Sequence, residues 1–565
     1  MKRALLTAVA AIGLATSASA DTLVDNVQGI SVDRTGKVTR FTGIWIDDDG
    51  RVKDLLERKD KRPQGTDFAV DGKGAFVIPG LVDSHLHVMD VGFGALTLDL
   101  SSTRSLAEAQ AAIREYAARN PDRRWIIGRG WNQESWGLGR FPTATELDAA
   151  VADRPVLLQR VDGHAHWANS QALAAAGVTA STADPAGGRI ERVAGSRAPA
   201  GVLVDNAMKL MDSAVPAPRP DDYDLALAKA QEILIANGIT AAADMGTTIE
   251  GWQSMRRAGD SGWLRMRIMA YASGPEAMEL IGGPGPTPWL YNDKLRLNGV
   301  KLYMDGALGS RGAWLKAPYA DDPKNTGLPI IGGTQLRNIM SRAALDKFQI
   351  AVHAIGDRGN SEVLDMIEEL AETYKGDRRW RIEHAQIVDP VDIPRFGRSG
   401  TIASMQPVHQ TSDRLMAEAR LGPARLAGAY AWRSIAGGGA SLVFGTDAPV
   451  ESSDPFAGIA AAISRTGPDG QPFGGWFPEQ AVSREAALAA YGAAGAFAGF
   501  GETRFGEIKP GLRADFVVVD RDPLLVSPED LRKTRVLQTW VGGERVFMSG
   551  SSPTNSVPGP ATGGR

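Results

Sequence analysis

Two histidines one residue apart, His85 and His87, close an apolar run at residues 76–87 (FVIPGLVDSHLH). In an extended chain the period of 2 puts both imidazoles on one side, so two nitrogen ligands aim at one point. Alone, such a pair also fits a strand that merely carries two histidines. Four later segments decide between the readings: residues 298–306 (NGVKLYMDG), 349–357 (QIAVHAIGD), 380–386 (WRIEHAQ) and 441–449 (SLVFGTDAP). Each reads as a short strand that ends on a metal-ligand residue and runs into a Gly or Asp turn. With His85 and His87, their Lys301, His353, His384 and Asp447 make a set able to hold two divalent ions. Imidazoles and carboxylates without a thiolate suit zinc, and an open site of this kind means catalysis.

PGLVDSHLH, KLYMDGALGSRGA, HAIGD, RIEHAQ and GTDAP resemble the amidohydrolase superfamily, most of all its family 3 branch, to which N-substituted formamide deformylases belong. The resemblance covers most of the chain. It implies a (β/α)8 TIM-like barrel with a binuclear metal centre at the C-terminal ends of its strands. His85, His87 and Asp447 would hold one ion, and His353 and His384 the other. Asp447 is also the expected catalytic proton carrier, taking a proton from metal-activated water and passing it to the leaving nitrogen. Lys301 needs a further step, because an ammonium has no lone pair. Burial beside cations would leave a neutral amine able to add carbon dioxide. The resemblance agrees, implying a carboxylated lysine at the end of strand 4, so the expected cofactors are two zinc-like divalent ions and carbon dioxide.

Asp305, Asp357 and Glu383 each lie within four residues of a ligand and are expected to orient an imidazole or the lysine. Turn-forming and helix-capping carboxylates are the competing reading, above all for Asp357.

These residues need a scaffold of eight strands. Working back from Lys301, residues 238–244 and 266–273 read as strands 2 and 3, and residues 401–406 as strand 7. Residues 223–236, 335–346 and 360–374 have helical apolar spacing. Far more chain separates His87 from Lys301 than three βα repeats need, so residues 92–220 are read as an α+β insertion over the barrel mouth. It holds a helix at 106–118, a strand at 125–128, an aromatic loop with Trp131 and Trp136, and the segment DGHAHWANS. His164 is the candidate catalytic histidine there and His166 a structural one. Trp131, Arg311 and His409 are candidate substrate contacts, with insert core, ion pairing and a satisfied loop histidine as their respective rivals. Strand patterns at 21–77 and 505–548 are expected to pair into one composite β-sandwich domain. The barrel then takes residues 78–91 and 221–504.

The chain of 565 residues is 43% hydrophobic and 23% charged, with a formal net charge of −4. No basic patch points to nucleic acid. Residues 1–20 carry Lys2-Arg3, an apolar stretch and Ala18-Ser19-Ala20, the pattern of a cleaved secretory signal too short to span a bilayer. Export to the periplasm without stable membrane insertion is expected. The absence of cysteine excludes disulfides and a lipoprotein anchor. The Ser-, Pro- and Gly-rich residues 550–565 read as a disordered tail. The expected activity is hydrolysis of a C–N bond, of amide or N-formyl type, in a small molecule. Deaminase, lactonase or peptidase chemistry and a non-catalytic metal-binding protein stay open here, as does a homo-oligomer.

Overall fold

Eight largely buried strands, the longest of nine residues, form one parallel sheet in the computed structural model, which describes residues 21–550. They are β1 (Leu81–Leu86), β2 (Ile239–Thr247), β3 (Arg267–Ser273), β4 (Leu295–Tyr303), β5 (Gln349–Ala354), β6 (Arg381–His384), β7 (Ile402–Met405) and β8 (Leu442–Phe444). Neighbours in sequence are neighbours in the sheet. Strands covered on both faces need near-continuous apolar runs, and β5 and β6 are buried at every residue. Amphipathic helices supply the cover. In helix Asp357–Thr373, Val363, Ile367 and Leu370 fall on one face at helical spacing and join the main core. The sheet is thus the expected TIM-like barrel.

The seam between β8 and β1 is closed mainly by the GTDAP turn. Asp83 accepts hydrogen bonds from the Thr446 amide at 3.1 Å and its hydroxyl at 2.6 Å. The Asp447 amide donates to the His85 carbonyl at 2.7 Å, and the His87 amide to the Ala448 carbonyl at 2.8 Å. Residue 445 must be glycine for the two segments to come this close, since a Cβ there would lie 2.5 Å from the His85 nitrogen.

The run at 76–87 is not one strand but two. Strand Phe76–Pro79 pairs with Phe516–Val519 and with Gln28–Val32 in a six-stranded sheet, completed by strands 38–41, 536–541 and 544–548. Only after Gly80 does the chain enter the barrel as β1. A four-stranded sheet of residues 22–25, 43–46, 52–56 and 68–71 shares an apolar core with it, in which Ile44 and Val52 meet Val77, Phe516 and Trp540. Residues 98–205 fold as an insert with its own six-stranded sheet and a core around Trp131, Trp136 and Trp167. Among the described residues no helix is long and apolar enough to cross a membrane. The leader and the tail past residue 550 lie outside the described residues.

Arg267, at the start of β3, ties the barrel to the terminal sheet. Its guanidinium grips Asp515 with two hydrogen bonds of 2.6 and 2.7 Å, and both side chains are at most 1% exposed. Breaking a buried pair from one side leaves the other charge stranded. Arg267→Met is therefore expected to cost about 3–5 kcal/mol of stability in denaturant titrations. A loss under about 1 kcal/mol, the scale of an exposed pair, would contradict this account.

Candidate metal centre

The strand ends aim six side chains at one place. The imidazole centroids of His85 and His384 lie 4.6 Å apart, as do those of His353 and His384, and His85 and His87 are 5.5 Å apart. Asp447 Oδ1 is 3.5 Å from His85 Nε2 and 3.2 Å from His87 Nε2. Lys301 Nζ lies 3.4 Å from His85 Nε2. One ligand atom each from His85, His384 and Asp447 falls within 4.8 Å of the others. His384 and Asp447 adopt left-handed backbone conformations, φ 74° and 56°, which residues with side chains seldom take. Both sit where a strand ends and the chain must turn while its side chain stays in the site.

Hydrogen bonds fix which nitrogen each imidazole presents. Glu383 approaches His85 Nδ1 at 2.6 Å and is itself gripped by Arg381 at 2.7 and 3.1 Å. Burial alone would raise the Glu383 pKa, but Arg381 and His85 outweigh it and hold the carboxyl far below its usual range. An ionised carboxylate cannot donate, so Nδ1 carries the proton and Nε2 is bare. His384 Nδ1 meets Gln406 Oε1 at 2.8 Å, while the Gln406 amide nitrogen donates to the Ser404 carbonyl. His384 Nε2 is bare as well. Burial, reinforced by the Lys301 charge, lowers His85 to about 4, and burial takes His353 and His384 well below the ordinary imidazole value.

Asp447 Oδ1 and His353 Nε2 are buried and accept or donate nothing. The bare Nε2 lone pairs of His85 and His384 thus converge with an anionic oxygen of Asp447 within 4.8 Å, an arrangement that a cation resolves. The donor set, nitrogen and oxygen without sulfur, fits a zinc-like divalent ion.

Between about pH 6.5 and 5 the protein stripped with a chelator is expected to lose more thermal stability than its His85→Gln variant, because unfolded imidazoles take up protons there. His85 stays neutral in the fold down to about 4, so across this window the unfolded state binds more protons and folding weakens. His87, His164 and His409 have raised values. Their contribution is complete below about 6.5 and is lost only at higher pH, so it cannot offset the fall. Buried Asp83 and Asp305, pushed up to about 7 by desolvation, take up protons in the fold over the same window and oppose the fall in both proteins, so equal losses in the two would contradict the assignment.

Lys301 is 1% exposed, and burial pushes its ammonium down to about 8. His409 lies at the start of helix Pro407–Leu421 and contacts the centre rather than an outer pocket. Its Nε2 is 3.0 Å from Asp447 Oδ2 and its Nδ1 3.2 Å from Glu451 Oε1, which makes it a partner of Asp447 in place of the expected substrate contact. His164 arrives from the insert, its ring 5.0 Å from that of His353.

Four expectations are corrected. Trp131 is fully buried in the insert core, its indole N–H donating to the Leu158 carbonyl, so it meets no substrate. Arg311 pairs with Asp321 at 2.9 Å, and Asp321 is shared with Arg420. Asp357 opens helix Asp357–Thr373 and accepts from the Lys316 amide, a tie between the helix start and the loop after β4 and not a ligand's support. Asp305 accepts from the amides of Trp314, Ile355 and Gly356 and lies 3.8 Å from His353 Nε2, beyond a hydrogen bond. It ties together the loops after β4 and β5.

The sequence reading overlooked Tyr303, Arg381, Gln406 and Asp205. Tyr303 follows Lys301 by two residues, and Arg381 precedes Glu383 by two, the spacing that shares a strand face. That period was the available signal. Gln406 and Asp205 carry no comparable mark.

A family model described as amidohydrolase family matches residues 69–547. The chain is 31% identical over 524 residues to the putative amidohydrolase YtcJ of Bacillus subtilis (strain 168), covering 90% of this chain and 96% of that one. It is 26% identical over 494 residues to the N-substituted formamide deformylase of Arthrobacter pascens, covering 84% and 89%. The crystal structure of an uncharacterized metal-dependent hydrolase from Pyrococcus horikoshii OT3 matches with a TM-score of 0.72 at 26% identity, covering 90% of this chain and 99% of that one. With ligand-type residues gathered at five strand ends and a family model running almost the whole length, the chain belongs to the amidohydrolase family of metal-dependent hydrolases.

Proposed function

We propose that this hydrolase is exported to the periplasm and cleaves the C–N bond of a small amide, most simply an N-formyl or other N-acyl amine. The observation that carries the reading is the buried, unpartnered Asp447 Oδ1 facing the bare Nε2 of His85 and lying 3.2 Å from His87 Nε2. Two divalent ions held by His85, His87, His353, His384 and Asp447 would polarise the carbonyl and acidify a water. The chain's own part is proton transfer. Asp447 Oδ1 is the atom positioned to hold a proton, while Oδ2 is kept in place by His409. An amide hydrolyses only if its nitrogen leaves protonated, and a carboxylate at the centre can deliver that proton.

Lys301 completes the set as a carbamate. The neutral amine attacks the carbon of carbon dioxide, an N–C bond forms, and a proton leaves to solvent. The resulting anion brings two oxygen donors where an ammonium had none. Burial and the approach to His85 Nε2 support this reading. The name of the Arthrobacter pascens relative supports an N-formyl amine over other amides. The leader pattern supports export, and mature protein recovered from the periplasm is expected to begin at Asp21.

The test is an assay of zinc-loaded protein on a panel of N-formyl and N-acyl amines, with esters, lactones and dipeptides alongside. Selective turnover of the amines is the expected result. Silence on every amide, with esters or lactones turned over, would overturn the reading.

A further inference from the structure

The geometry points to Asp205 as a positioning residue that, through His164, makes the insert part of the reacting centre. This rests on the metal-dependent amide hydrolase reading above.

Asp205 ends the insert strand Pro199–Asp205, and its backbone lies at φ 50°, ψ −125°, a region that residues with a side chain avoid. Its side chain is 1% exposed and holds His164 Nδ1 at 2.8 Å through Oδ1. The Asp205 amide also donates to the His164 carbonyl at 3.0 Å. Its other oxygen, Oδ2, is buried and bonded to nothing. The carboxylate sits in a niche that the barrel supplies. In the loop after β4, a methyl group on Gly306 would lie 2.7 Å from both carboxylate oxygens, and one on Gly312 would lie 2.6 Å from Oδ2. Neither glycine has a positive φ. What their missing side chains provide is room.

A residue that only docked the insert could be satisfied and unstrained. Asp205 is neither, and strain of this kind persists where the surroundings enforce a particular geometry. What is enforced is the orientation of one imidazole. Bonding to a carboxylate places the His164 proton on Nδ1 and leaves Nε2 as the free nitrogen. The ring is 5.0 Å from that of His353 and 6.4 Å from that of Tyr303. At 12% exposure its side chain is more open than that of His85 or His353, so it can meet a bound molecule. We assign His164 Nε2 to contact the amide at its reacting end, with Asp205 fixing the ring. The insert is then not a cover alone.

Asp205→Asn and His164→Gln are expected to keep the parent's metal content and KM within about threefold while kcat falls roughly 100-fold, the scale of a misoriented proton-transfer group. The double variant should be no worse than either single, since the pair acts as a unit. Gly306→Ala leaves both residues in place but fills the niche, and it should reproduce the kcat loss with metal retained. Imidazole nitrogen NMR supplies a readout independent of turnover: in the parent, His164 should be protonated at Nδ1, and its resonance should move in Asp205→Asn. Loss of bound metal in Asp205→Asn, or kcat within threefold of the parent in an enzyme that hydrolyses amides, would overturn the inference. So would a His164 protonated only at Nε2. A parent that hydrolyses no amide yet keeps the Nδ1 proton would instead count against the function proposed above and leave the positioning role of Asp205 standing.

Discussion

Replacing Asp447 by asparagine is expected to lower turnover by roughly 100-fold or more, the scale of lost acid–base catalysis. Asparagine keeps the size and one oxygen of the carboxylate, and the backbone of residue 447 still closes the barrel seam through the His85 carbonyl. What disappears is an anion able to take a proton. Asp447 is ionised in the fold because His85, His409 and His87 together outweigh the opposing effect of burial. Elemental analysis separates the two consequences of the change. Metal retained at the parental level with kcat depressed identifies the proton carrier, whereas near-normal turnover would remove Asp447 from that role.

Lys301→Ala is expected to remove both bound metal and activity. A short carboxylic acid, supplied at high concentration, should then restore part of each. Lys301 Nζ lies 4.9 Å from the centre of the Tyr303 ring, and truncation leaves room for a small anion in its place. An acid replaces the two oxygens of a carbamate but not the charge of an ammonium, so rescue by acetate or formate distinguishes the two states of Lys301. Rescue by a short amine with no effect of acids would show that the unmodified lysine is the working form.

The barrel was legible because its strands are buried on both faces. Apolar runs such as the one leading to His353 end abruptly at a polar residue and a turn, and the same residues that mark the strand end are those aimed into the site. Side chains that act from a distance were less legible. Glu383 could be named as a support because it adjoins His384 in sequence, yet the imidazole it holds belongs to His85, 298 positions away. Asp205 could not be named at all, since its meaning lies in two glycines of a loop 100 residues downstream. Trp131 misled for the opposite reason. An aromatic residue in a loop-rich stretch suits a binding surface and a small core equally, and only the insert sheet settles it as core. The step from Pro79 to Leu81 was read two residues early, between 77 and 78, because both sides are apolar strands. Periodicity does not report which of two sheets a strand joins.

The terminal sheet has a consequence for the order in which the molecule can form. Strand Phe76–Pro79 needs Phe516–Val519 as its neighbour, and the Ser31 hydroxyl accepts from the Ile508 amide 477 residues later. At about 5–20 residues per second of synthesis, the first strands made wait roughly 25–95 s for partners that close their sheet. Until then they present open edges, the feature through which chains aggregate. The earliest-born part of this protein is among the last to be completed, and a nascent chain of this kind depends on being kept apart from its copies until residues 508–548 emerge.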